Sequence, residues 1–464
     1  MRIKRKIQLA GLAVVLAGGV SGTAEAGDRT INDDITTPVT TSNPDGSAVP
    51  GDITVGADGS ITVDTNETAI TVDSSNDVTV DGGLLSEDAD NSIGILIEGG
   101  NSGTITHSGS ISLTEDYTLE DTDDDGDFDG ELAIGTNRHG IFLQAGPTFT
   151  GDIIVDGGGF VIEGNNSSAI TLDALLTGTL DVTGSVTVTG ENSYGIAINE
   201  GVTGDVLINA PLAVRGANSV GVYVGGDVGG ELSLTGTWGV TGYLSTVIPE
   251  DQGTLEPGDI EQSGSSLVVS GSVANGVTLE GVGVENDEDD DDDGEDNEAD
   301  DNAGVAINQF GSAAAVHIFG DGTNIVLGPG TEGFGFYHRG TITSAGVFDG
   351  VSATGIRIDG LGGTATVSGG MLLDGLLSVS ASEANSYALI IGDGGIVPSI
   401  EMRNIITSSV ASETAQTAYG FFFDTGADVS SINNSGSLIV SYFGETGDSY
   451  AIQDLSGTLD TITN

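Results

Sequence analysis

The sequence predicts an all-β fold: a single-stranded parallel β-helix, or β-solenoid, with three short strands per coil, about 26 residues per coil, and acidic loop insertions. Three observations carry this expectation. The first is a gapless repeat. GNNSSAITL begins at Gly164, GENSYGIAI at Gly190 and GANSVGVYV at Gly216, while GTLDV, GDVLI and GELSL begin at Gly178, Gly204 and Gly230. A unit this short cannot bury its own apolar face and must stack on its neighbours. The second is alternation: Leu180 and Val182, Val186 and Val188, Ile196 and Ile198 each read as a short strand with one face turned inward. The third is punctuation, since Gly184, Gly190 and Gly195 fall at or near the strand ends, where a sharp turn calls for positive φ.

Stacking fixes the next expectations. Successive parallel coils lie about 4.8 Å apart, so equivalent side chains fall above one another. Ile170, Ile196 and Val222 should then form an internal row. Asn166, Asn192 and Asn218 share one register, with Asn66, Asn91, Asn137, Asn275 and Asn385 in similar settings before apolar runs. A buried corner asparagine that donates its amide to one coil and accepts from the next would satisfy both its groups, so these residues read as structural.

Weaker copies extend the array. NETAITV, NSIGILI and NRHGIFL lead in, and TGIRI, NSYALII, AYGFFF and DSYAIQD follow, with later spacings of about 31 or 32 residues. Roughly 14 coils would make a rod on the order of 65 Å long at the strand spacing of stacked sheets. Residues 1–26 read as a secretory signal peptide: Arg2, Lys4, Arg5 and Lys6, an apolar run, then Ala24-Glu25-Ala26. Residues 27–50 read as a flexible lead-in or N-terminal cap, and 51–464 as the β-helix, with insertions at 114–132, 243–264 and 285–304. The first two are placed at equivalent corners two or three coils apart, and the third after an apolar third side.

Beyond residue 26 the chain carries six arginines and no lysine against 69 acids, a net charge of −63. Such a surface repels phosphate backbones, which excludes nucleic acid as a direct partner, and favours divalent cations. Cysteine is absent, so stability must come from stacking. The metal candidates lie in the acidic insertions. Asp121, Asp123, Asp125, Gly126, Asp127 and Asp129 form an Asp-x-Asp-x-Asp-Gly-x-x-Asp pattern, and alternate carboxylates around a glycine turn suit the six to eight oxygens that Ca2+ takes. Position 12 of an EF-hand frame is Leu132, with Glu131 one place early, so the loop is closer to the short calcium loops of dockerin and thrombospondin type 3 modules. Asp289, Asp291, Asp293, Gly294, Asn297 and Asp300 fit the same frame more loosely, against the alternative of a solvated acidic tract.

Catalytic signals are weak. His107, His139, His317 and His338 show no ligand spacing, with His139 read as a solvent-facing corner residue. Gly447-Asp448-Ser449 reads as the start of another repeat, and paired acids are too abundant to diagnose a glycosidase. The secretory signal, Gly/Ser/Thr/Asn-rich repeats, absence of cysteine and phrases such as GSVTVTGENSYGIAI resemble the passenger regions of bacterial autotransporters over about residues 50 to 464. That resemblance implies a β-helix exported through the periplasm, passed through an outer-membrane β-barrel and displayed at the cell surface or released. It implies partners on host, matrix or sibling-cell surfaces. No segment resembles the family's C-terminal barrel, and Gly457-Thr458-Leu459-Asp460 copies the start of a coil, so a barrel partner is expected to be missing or separate. The leading expectation is a non-enzymatic adhesion or surface-structural protein. The alternatives are a carbohydrate-active β-helix of lyase or hydrolase type, for which Arg357 and Arg339 are the available cations, and a calcium-responsive surface spacer.

Overall fold

The structure, a computed structural model, describes residues 27–121, 128–249, 252–281 and 304–464. Three long parallel sheets of 14, 13 and 13 strands run the length of the chain, and each strand pairs with its counterpart one coil later. The first face runs from Arg29–Ile31 to Thr461–Thr463, the second from Asp34–Ile35 to Ser437–Phe443, and the third from Val39–Thr40 to Asp448–Asp454. This is the three-sided β-helix that the repeat implies. In its centre Leu180 pairs with Val206 and Val206 with Leu232 on the first face, 26 residues apart each time. Ile170, Ile196 and Val222 form the expected row on the third face.

Packing follows from alternation. Leu180, Val182, Val186, Val188, Ile196 and Ile198 all point inward and are buried, and one apolar cluster extends from Ile31 to Ile432. Each coil contributes only a few side chains, so their burial is realised only when the neighbouring coils are in place. Among the described residues, no helix is long and apolar enough to cross a membrane.

Several expectations need correction. The corner asparagines are exposed, not buried: Asn66, Asn91, Asn137, Asn166, Asn192 and Asn218 hold φ between 52° and 63°. Asparagine is selected there because it tolerates this left-handed backbone. A ladder does form in part, with Asn91 donating to Asn66 at 2.9 Å, Asn137 to Asn91 at 2.9 Å and Asn218 to Asn192 at 3.3 Å. Asn275 and Asn385 lie outside the left-handed set; Asn385 instead accepts from the Thr417 amide at 2.8 Å. The buried polar ladder belongs to the next residue. Ser193 donates its hydroxyl to the Gly164 carbonyl at 3.0 Å and accepts from the Ser167 amide at 3.0 Å, and Ser219 repeats the pattern one coil on. Of the three glycines, Gly190 alone has positive φ, at 144°. Gly195 lies within a strand, where an added Cβ would meet the Gly221 carbonyl oxygen at 2.5 Å, and Gly184 is equally crowded by the Gly158 carbonyl oxygen at 2.4 Å. Both are required by close approach of backbones.

The stack also begins earlier than the repeat suggests. Residues 27–50 already form a coil, with Arg29–Ile31 paired to Ile53–Val55. Short strands such as Leu176–Thr177 and Gly201–Val202 add a fourth strip, too brief to register as alternation in the sequence. The insertions after Thr114 and Thr241 do share a corner, between the second and third faces, but stand four coils apart rather than two or three. The third leaves the first face, after Val277–Leu279, and re-enters the second at Ala306–Phe310. It follows a first side, because apolar content alone does not distinguish one buried strand of a coil from another.

Candidate functional site

The outer surface of the third face is where later coils differ from earlier ones. The strands Ala314–Phe319, Ala353–Asp359, Ser386–Ile391, Thr417–Phe423 and Asp448–Asp454 lie side by side. Register places Tyr387, Tyr419 and Tyr450 in one outward row and Arg357, Ile390 and Phe422 in another. The tyrosine rings stack along the row, Tyr387 on Tyr419 with centroids 4.7 Å apart and planes 5° from parallel, and Tyr419 on Tyr450 at 5.9 Å and 16°. Phe422 meets Tyr387 and Tyr419 edge-on, at 75° and 70°. Parallel in-register strands bring like residues together, so one tyrosine per repeat becomes a continuous aromatic ridge.

Beside the ridge is a cleft of about 470 Å³, lined in part by Thr354, Arg357, Asp359, Tyr387, Asp393, Phe422 and Asp424. The Asp359 carboxylate is 3% exposed and bonds to Arg357 Nε at 2.5 Å, with His317 Nε2 at 3.4 Å from its other oxygen. Burial pushes the Asp359 carboxyl up, but the hydrogen bonds from His317 and Arg357 outweigh it and hold it below the usual carboxylate range. Room for that carboxylate comes from Gly392 on the next coil, where an added Cβ would lie 2.8 Å from the Asp359 Cβ. Asp359 is therefore an ionised acceptor that fixes Arg357, whose side chain is 42% exposed.

The sequence candidates fare unevenly. Asp121 and Asp129 sit at the ends of the first acidic loop, drawn together by an antiparallel bridge between Glu120 and Asp129 in which the Asp129 amide donates to the Glu120 carbonyl at 2.9 Å. Asp123, Asp125 and Asp127, and all of Asp289, Asp291, Asp293, Asn297 and Asp300, lie outside the described residues. Among the described residues no group of three or more acidic, histidine or cysteine side chains is arranged to hold a metal ion. The two arginines are not one cluster: Arg357 is on the third face, while Arg339 follows the first-face strand Phe336–His338 and lies 6.0 Å from the Tyr337 ring centre. His107 and His338 point into the core. His139 is half-buried within the strand His139–Leu143 rather than at a solvent-facing corner, bonded to Ser168 at 2.8 Å and stacked on Phe142, because strand pairing starts at that residue. Ser449 is the second residue of a regular strand, as the repeat reading has it.

The residues that sequence reasoning passed over are Tyr387, Tyr419, Tyr450, Phe422 and Asp359, and His317, weighed there only for ligand spacing, joins them. A signal existed, because NSYALII, TAYGFFF and DSYAIQD place tyrosine at one position of three successive repeats. No protein-family model matches the chain, and neither a curated protein nor a solved structure gives a match.

Proposed function

We propose that this chain is an exported, surface-displayed β-solenoid that acts by binding, as an adhesin-like passenger held by an outer-membrane barrel. The observation that carries the reading is the third-face cleft with its aromatic ridge. A rigid stack presents there an outward surface with both hydrogen-bonding and apolar groups, as recognition sites require. Asp359, one of three acids that line the cleft, is ionised and tied to Arg357, which suits it to fixing the guanidinium for a ligand rather than to serving as a general acid. The purified chain from residue 27 onward is expected to coat a target surface and block attachment of the producing cells, while gene deletion abolishes attachment. Undiminished attachment in both experiments would refute the reading. A reducing-sugar assay on acidic polysaccharides tests the carbohydrate-active alternative on the same cleft.

The Glu120–Asp129 bridge favours a second role for the first acidic loop, because it brings the two ends of the calcium pattern together. Calcium titrated into the chain is expected to give a saturable heat that Asp121→Asn with Asp129→Asn removes. The absence of heat in the unmodified protein ends the calcium proposal and the calcium-responsive spacer with it.

A further inference from the structure

We infer that the third-face cleft and ridge bind a neutral glycan chain, an assignment that rests on reading this face as the binding surface. The first argument is charge. The cleft sets one cation, Arg357, already matched by Asp359, against the further carboxylates of Asp393 and Asp424. A polyuronate would meet excess negative charge there, on a chain whose formal net charge is −60. The second argument is hydrogen bonding. Saccharide hydroxyls both donate and accept, and the lining supplies acceptors on the aspartates, donors on the guanidinium and a hydroxyl on Thr354. The third is repetition. A compact cation would be satisfied by a single aromatic cage, yet here Tyr387, Tyr419 and Tyr450 recur once per coil with centroids 4.7 and 5.9 Å apart.

A repeating ridge fits a repeating ligand. Because the rings stack on one another, the ridge turns their edges outward, and the apolar C–H face of a pyranose packs against this row of edge carbon, with the advance per residue of an extended glycan close to the spacing of the coils. The chain would run along the solenoid axis, with one end in the cleft at Arg357 and the rest across Tyr419 towards Tyr450. Tyr450 is 40% exposed, so its ring is within reach of a ligand. Phe422, edge-on to both inner tyrosines, holds the rings in place.

The test is calorimetric titration of the chain from residue 27 onward with cellohexaose, laminarihexaose and mannohexaose, against hexagalacturonate and a chitosan hexamer as charged probes. At least one neutral hexasaccharide is expected to bind, and Tyr419→Ala should weaken it about tenfold or more. Tyr419→Phe should retain most of the affinity. Tyr450→Ala, on the outermost ring, weakens binding without touching the core and guards against a misfolded Tyr419→Ala chain. Binding by none of the three neutral sugars, binding only by the charged probes, or an affinity unmoved by Tyr419→Ala and Tyr450→Ala would overturn the assignment. If the chain blocks cell attachment yet binds no neutral hexasaccharide, the glycan assignment fails and the adhesin reading stands. If it does neither, both fail.

Discussion

Replacing Arg138 by alanine is expected to destabilise the coils around it by about 3–5 kcal/mol, the range for breaking a buried ion pair. Arg138 occupies the position that serine holds in most of the other repeats, following Asn137 as Ser167 follows Asn166. Its side chain is 1% exposed and reaches through the corner to the Glu115 carboxylate at 3.4 Å, the Ala89 carbonyl at 3.2 Å and the Glu163 carbonyl at 2.5 Å. Glu115 in turn accepts the amides of Ile134 at 2.9 Å and Gly135 at 2.6 Å, closing the base of the acidic insertion. Removing the guanidinium leaves a buried carboxylate and two carbonyls without their partner. The loss should be local, because coils of a solenoid contact only their neighbours. Limited proteolysis is expected to cut first between residues 115 and 135, ahead of any global change in the urea transition. Arg138→Ser restores the hydroxyl of the ladder but not the ion pair, so its stability should fall between the two while the new cut persists. An alanine variant that unfolds like the parent and resists the protease would show that the insertion is anchored by other contacts.

That case also marks where the sequence can be read and where it cannot. The 26-residue period and the alternation of Leu180, Val182, Val186, Val188, Ile196 and Ile198 report burial directly, because inward positions are filled mainly by apolar side chains of suitable size. Corners are less legible. In Gly-x-Asn-Ser both polar residues look equivalent, yet backbone conformation turns the asparagine out and the serine in. Only the φ of about 55° at the asparagine decides which of the two is buried.

The proposed binding surface was hidden differently. Outward residues carry no burial constraint, so their period is noisy in most coils and attracts no notice. Tyr387, Tyr419 and Tyr450 became meaningful only when parallel register set them above one another. The Asp359–Arg357–His317 cluster joins residues of one strand to a residue 42 positions earlier, and the 26-residue period did not give that offset. Coil lengths had changed by then: His317 pairs with Arg357 across a 40-residue step. Where an insertion or longer corner resets the count, contacts between coils cannot be obtained by adding a fixed period.

Replacing His338 by leucine is expected to stabilise the chain at neutral pH, by about 1–3 kcal/mol, the cost of leaving buried polar atoms unpaired. His338 points into the core between Leu279 and Leu373, and neither ring nitrogen finds a hydrogen-bond partner among the described residues. Burial pulls its pKa from 6.5 down to about 4, against a weaker upward effect from the Gly340 backbone. The folded chain therefore binds fewer protons than the unfolded chain once pH falls below about 6.5. His338 costs nothing extra above that value, and its penalty grows as pH falls, levelling below about 4 at roughly 3 kcal/mol. His107, flanked by Val80 and Val155, shifts the same way through burial. A raw pH profile would mix this with the discharge of the many carboxylates, which relieves self-repulsion in the same range. The difference between parent and His338→Leu removes that common contribution. Urea midpoints measured from pH 7 to pH 4 should show the variant ahead at pH 7 and the gap widening as acid is added. A constant gap would mean that the ring does not titrate on unfolding, and a less stable variant would mean that its shape is needed by the packing around Gly375, whose added Cβ would lie 2.8 Å from His338 Nε2. A widening gap would make the core histidines an acid limit built into a stack whose neighbouring rungs are leucine and valine.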